Sequence, residues 1–132
     1  MKVENLRTNQ LSDEAFDWYL AYLTALDAKD MDAYAGFLAE DVELIMNNAE
    51  PTNGRDAVRE GLAGYWQTFG ELEHELLNIY GGDDRFVLEA LNHYVTQDDR
   101  RVTLRAVAFT DRNEEGLVTS VRLFSDTGPL FS

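Results

Sequence analysis

The chain has no cysteine, only two prolines and only two histidines. Without cysteine there is no disulfide, no thiolate nucleophile and no cysteine-based metal cluster. The two histidines, His74 and His93, lie far apart in sequence and in no HxH or HExxH spacing, so a metal site is not expected. Basic residues are also scarce: 11 Lys and Arg stand against 25 Asp and Glu, a formal net charge of −14. Such a surface repels phosphate backbones. The nearest basic cluster, "DDRRVTLR", itself opens on two aspartates, so neither nucleic acid nor an anionic membrane is expected as a partner. Long apolar runs are missing too. The opening "MKVENLRTNQLSDEAF" carries no apolar leader core, and no later stretch would span a bilayer. A soluble, cytoplasmic protein is the expectation.

What remains is ordinary globular material. Hydrophobic residues make up 45% and charged residues 27% of 132 positions, a composition and length that suit one folded domain over residues 1–132 with a sizeable core.

The pattern changes once along the chain, from helical to strand-like. Ser12 precedes "DEAFDWYLAYLTALDA", a hydroxyl N-cap followed by two acids in the first turn. Phe16, Tyr19, Leu20, Leu23 and Leu26 recur at helical spacing. "DAKD" interrupts, and Asp30 can cap a second helix over "MDAYAGFLA". A strand "VELIM" and a turn-rich "NNAEPTNG" follow. A third helix is expected over 54–69, with Val58, Leu62, Tyr65, Trp66 and Phe69 as its stripe. Gly61 and Gly64 inside it cost about 1 kcal/mol each against alanine, which suggests close packing. Four strands are expected over 72–80, 85–97, 101–110 and 117–124, joined by the turn segments "GGDD", "DD" and "DRNEEG". The fold class is α+β: a curved, mostly antiparallel sheet wrapped around three helices, with a pocket between them.

Three segments, "AKDMDAYAGFLAEDVEL", "NGRDAVREGL" and the closing "GLVTSVRLFSDTGPLF", stand in an order and spacing that resembles the SnoaL-like members of a large superfamily. That superfamily contains nuclear transport factor two, polyketide cyclases, ketosteroid isomerase and limonene epoxide hydrolase. The resemblance covers nearly the whole chain. It implies a cystatin-like cone fold, homodimerisation through the sheet face, and a small-molecule pocket inside the cone. No cofactor is implied. Fold alone does not decide function, since such superfamilies include non-catalytic members.

Carried over residue by residue, the resemblance keeps part of the known chemistry. A ketosteroid isomerase has a tyrosine on the first helix, matched here by Tyr22. Its general base at the end of the first strand falls on Met46, and a thioether cannot abstract a proton. Its neutral acid falls near Ala108, in a segment, Val102 to Thr110, without Asp or Glu. Ketosteroid isomerisation by that mechanism is therefore not expected. The epoxide hydrolase pattern Arg-x-x-x-Asp is met by Arg122 and Asp126, but its Arg-x-Asp partner is not. The corresponding "VLEALNHY" offers only Glu89.

The candidate catalytic groups are thus Tyr22, His93 and Asp126. Tyr22 either donates to a bound carbonyl or is a core tyrosine. His93, if its strand turns it inward, is a general acid/base; otherwise it sits on an outer surface. Asp126 is either a pocket carboxylate or a turn residue. His74, among glutamates in "LEHELL", reads as solvated. Leu44, Met46, Leu62, Trp66 and Leu91 are the expected apolar lining. Arg105 and Arg122 either clamp an anionic group or form ion pairs on the outer face. Val107 and Phe109 read as outward-facing. The expected ligand is a small hydrophobic molecule. The expected activity is that of an isomerase, cyclase, dehydratase or hydrolase; a non-catalytic binding protein and a dimeric interaction module are the alternatives.

Overall fold

A computed structural model describes residues 1–6 and 11–131. Its elements run α1 (Asp13–Asp27), α2 (Met31–Ala35), β1 (Leu38–Met46), β2 (Thr52–Asn53), α3 (Arg55–Trp66), β3 (Phe69–Gly82), β4 (Arg85–Thr96), β5 (Arg101–Arg112) and β6 (Val118–Phe124), with a 3₁₀ turn over Gly128–Leu130. The α+β architecture is as expected: three helices against one curved six-stranded sheet of order β2-β1-β6-β5-β4-β3. Among the six described strands only β1 and β6 pair in parallel, and the other neighbouring pairs are antiparallel; one parallel bridge joins Lys2 to Glu75.

Local chemistry explains the helix starts. Ser12 Oγ accepts from the Ala15 N–H at 3.1 Å, and Asp30 Oδ1 accepts from Ala33 N–H at 3.2 Å. Each side chain satisfies a donor that the first helical turn leaves orphaned. Helix α2 ends sooner than the apolar pattern suggests. Gly36 is its C-cap and the chain enters β1 at Leu38, so "FLA" belongs to the strand side of the junction. The two-residue strand β2 and the 3₁₀ turn were not anticipated, and β3 extends to both sides of its expected span.

Helix α3 corrects the reading of its glycines. A methyl built on Gly61 or Gly64 would meet nothing within 4 Å. Neither glycine answers a close approach. Gly81 is different: at φ +108° its added methyl would lie 2.3 Å from the Arg85 carbonyl oxygen, where only glycine fits the β3–β4 turn.

The core sits between the helices and the inner sheet face. Tyr19, Phe86, Leu76, Ile79, Val58 and Leu38 are all buried. Phe86 stands edge-on to Tyr19 with ring centroids 4.4 Å apart, a geometry aromatic quadrupoles favour. Leu76 and Ile79 both point inward although three residues apart. A register shift between Leu76 and Asn78 makes this possible, because a bulge resets the two-residue alternation.

Strand β3 is an edge of the sheet, and its outward backbone is covered around His74 to Leu76. Lys2 N–H donates to the His74 carbonyl at 2.8 Å, and Leu76 N–H donates to the Lys2 carbonyl at 2.9 Å. The His74 N–H donates to the Asp27 carboxylate, 3.2 and 3.3 Å from its two oxygens. Over that stretch the edge offers no free ladder to another strand.

Candidate functional site

Helices and inner sheet face enclose a cavity of about 110 Å³. Which residues reach it follows from strand parity. On β4, Phe86, Leu88, Ala90, Asn92, Tyr94 and Thr96 are buried while the residues between them are not. Because side chains alternate across a strand, the even-numbered positions face the helices. Cross-strand register carries the same parity to Leu104, Ala106, Ala108 and Thr110 of β5 and to Val121 and Leu123 of β6.

Five of the residues singled out in the sequence line this cavity: Tyr22, Leu44, Met46, Leu62 and Trp66. Five do not. His93 and Leu91 have odd parity and lie on the outer face, where His93 Nε2 is 2.8 Å from Glu75 Oε1 and Nδ1 is 2.8 Å from Thr103 Oγ1. Arg105 donates to Glu89 at 3.1 Å. Arg122 donates to Asp111 at 3.0 Å and lies over the Phe109 ring. Asp126 is exposed, and its Oδ1 accepts the Gly128 N–H at 3.0 Å, which is turn chemistry. Val107 and Phe109 are on the outer face, as expected. Hydrogen bonds from His93, then from Asn5, hold the Glu75 carboxyl below its ordinary value.

His74 reverses its sequence reading. It is buried, lines the cavity, and places Nδ1 2.5 Å from Asp27 Oδ1. Asp27 is the last residue of α1, and the same carboxylate accepts the His74 main-chain N–H. The side chain is thereby fixed from two directions, and the α-ammonium of Met1 lies 3.4 Å from its second oxygen. A carboxylate can only accept, so Nδ1 carries the proton and donates it to Asp27. In the neutral ring Nε2 is then a lone pair. Among the described residues Nε2 makes no hydrogen bond.

Opposite His74 in the β3–β4 register stands Asn92. Its Oδ1 is buried without a hydrogen-bond partner. The signal for this pair was present in "ELEHELL": period two puts His74 with Leu72 and Leu76, and the glutamates Glu71, Glu73 and Glu75 on the other face. No comparable signal marked Asp27 or Asn92.

Two tyrosine pairs complete the polar points. Tyr22 and Tyr34 hydroxyls are 3.3 Å apart, and those of Tyr65 and Tyr94 are 3.0 Å apart. Burial pushes all four phenols up from their ordinary value. At Tyr22 the neighbouring Tyr34 adds to the shift, and at Tyr94 hydrogen bonds with Tyr65 and Asn92 oppose it. They are neutral donors at physiological pH. Lys29, in the left-handed region at φ 55°, donates to the Trp66 and Phe69 carbonyls at 2.9 Å each. That clamp pins the α1–α2 hinge to the end of α3, which bears Tyr65 and Trp66. Met46 and Ala108, the positions where an isomerase would carry its acids, both line the cavity as apolar side chains.

Comparison with known proteins agrees with this architecture. The model of the SnoaL-like domain family matches residues 19–121, and the chain belongs to that family. No curated protein matches it. Among solved structures, an NTF2-like protein of unknown function from Burkholderia pseudomallei superposes with a TM-score of 0.80 at 15% identity, covering 91% of this chain and 96% of that one. SalBIII, an epoxide hydrolase/cyclase-like enzyme in pyran ring formation in the polyether salinomycin, gives 0.75 at 18%, covering 87% and 92%. An LEH-like epoxide hydrolase from M. tuberculosis gives 0.73 at 19%, covering 89% and 86%. At these identities the likeness establishes the shared cone fold. Among the described residues no helix is long and apolar enough to cross a membrane.

Proposed function

We propose that the chain takes a small hydrophobic molecule into the cone cavity and converts it by cofactor-independent acid/base catalysis, with His74 as the acid/base group and Asp27 as its positioning partner. The observation that carries this reading is the Asp27–His74 pair inside an otherwise mostly apolar cavity. His74 Nε2 takes a proton from the bound molecule, Asp27 stabilises the imidazolium that results, and the proton returns to another atom of the same molecule. A neutral tyrosine hydroxyl can donate to an oxygen that gains charge in that step. Isomerisation, cyclisation and dehydration fit this sequence; hydrolysis fits when the proton is taken from a water whose oxygen adds to the bound molecule and the proton goes to the oxygen of the bond that breaks. The likeness to a cyclase-like enzyme and to an epoxide hydrolase supports the reaction class without choosing within it.

Binding without conversion is the second reading, and Met46 and Ala108 favour it, because two acid positions of the isomerase pattern are apolar here. Incubation with monocyclic enones and epoxides, followed by NMR, separates the two. Conversion that falls about a hundredfold or more in His74→Gln, with binding kept and with His93→Gln unchanged, is the expected result. Compounds that bind and are never converted, or equal rates in His74→Gln, leave a carrier.

The outer sheet face is proposed to pair with a second copy of the chain. Phe124 is 47% exposed there and packs edge-on to Phe109, an apolar patch of the kind that marks interfaces.

A further inference from the structure

Resting on the reading of the cavity as a ligand site, we infer that Asn92 selects its occupant: a single unsaturated or aromatic ring bearing a hydroxyl group, whose O–H is accepted by Asn92 Oδ1. Three observations converge on this. Asn92 is 4% exposed, and its Oδ1 has no hydrogen-bond partner. A buried acceptor left unpaired is costly, and native interiors rarely keep one. The amide is one of the cavity-lining groups, so a bound donor can supply the missing bond.

Size sets the second constraint. The cavity is about 110 Å³, somewhat below the roughly 150 Å³ of an engineered apolar cavity that takes up benzene. A cavity of this order suits a single ring. The third constraint is the neighbour. Asn92 and His74 are directly opposed in the β3–β4 register, with their Cβ atoms about 5 Å apart. Both present acceptors, Oδ1 and Nε2. A hydroxyl held by Asn92 therefore sets the adjoining ring position or a second acidic proton against the base. Trp66 and Tyr94 supply aromatic surface at the same end of the cavity.

Asn92 discriminates because the site loses its bond when the hydroxyl is missing. A pocket with a buried polar group rejects the analogue that leaves it unpaired far more strongly than a greasy pocket rejects an extra hydroxyl. Calorimetric titration with phenol and with toluene, which have similar shape, reads this directly. The wild-type chain is expected to prefer phenol by about tenfold or more. In Asn92→Leu, of similar volume, and in Asn92→Ala, that preference is expected to shrink to about twofold or less while toluene still binds. Retained toluene binding shows that the cavity of each variant is intact. Equal affinity for the two probes in the wild type, or an unchanged preference in both variants, overturns the role of Asn92 and assigns its Oδ1 to a resident water. If neither probe binds the wild type, the cavity reading falls and this inference falls with it.

Discussion

His74 and Asp27 lie 47 residues apart in the chain and 2.5 Å apart in space. The contact closes the open edge of β3 and enters the cavity at the same point. One carboxylate serves the backbone N–H and the imidazole of the same residue, so the group that terminates α1 also fixes the tautomer of the only histidine inside the cone. Structural and chemical roles are fused here, and substitutions can separate them.

Asp27→Asn keeps an acceptor for both N–H groups but removes the charge that stabilises an imidazolium. Turnover is expected to fall between about a hundredfold and ten-thousandfold with little change in KM. Asp27→Ala removes the acceptor as well and strands two partly buried donors. Its additional loss of about 1–3 kcal/mol is expected in urea unfolding. If Asp27→Asn turns over at the wild-type rate, Asp27 serves only the sheet edge.

Buried tyrosines give the fold an alkaline limit. Tyr19, Tyr22 and Tyr34 are fully or almost fully buried, and burial is the main cause that raises each of them. Below the unfolded value of about 10 their contribution is complete. As pH rises above it the unfolded chain loses protons that the folded chain retains. Stability then falls, by up to about 1.4 kcal/mol per pH unit for each group. Urea unfolding at about pH 9 and about pH 11 should show a large drop, with a shallower one in Tyr22→Phe. A flat profile would mean that these hydroxyls meet solvent.

How much of this was legible differs between neighbouring strands. The Ser12 and Asp30 caps, the order of helices before strands and the stripe of α3 as far as Trp66 follow from local rules, although Phe69, which reads as part of that stripe, opens β3 instead. Strand β3 is also legible, because "ELEHELL" separates its faces by charge, although His74 among glutamates reads as solvated. Strand β4 is not. Its inward face carries Leu88, Ala90, Asn92 and Tyr94, and its outward face Val87, Glu89, Leu91 and His93, so both faces mix apolar and polar residues. Pairing with β3 through the bulge at Leu76 and Asn78 fixes its parity, and that information is not local. Asp27 and Asn92 were invisible for a related reason: each matters only through a partner on another element.

The three glycines of α3 and the β3–β4 turn should respond in opposite directions. Gly61→Ala and Gly64→Ala fill open space in the interior of a helix and are each expected to stabilise by about 0.5–1 kcal/mol. Gly81→Ala forces a side chain into a left-handed position against the Arg85 carbonyl and should destabilise by about 1–3 kcal/mol. Thermal or urea unfolding of the three variants checks both signs. Destabilisation by Gly61→Ala would reveal a neighbour that packs on α3 in the assembled protein.

The proposed pairing of sheet faces has to work against charge. Two copies each carry −14, while the outer face itself is nearly balanced, with His93 against Glu75, Arg105 against Glu89 and Arg122 against Asp111. The attraction is therefore apolar and short-ranged, and the repulsion is long-ranged and screened by salt, with a Debye length of about 30 Å at 0.01 M and 8 Å at 0.15 M. Dimerisation should tighten as salt is added, the reverse of what a contact held by ion pairs would do. Phe124→Glu places a charge in the apolar patch beside Phe109 and should shift the population to monomer at every ionic strength. Sedimentation across a salt series reads both effects. A dimer that loosens with salt, or one indifferent to Phe124→Glu, would place the interface on another surface.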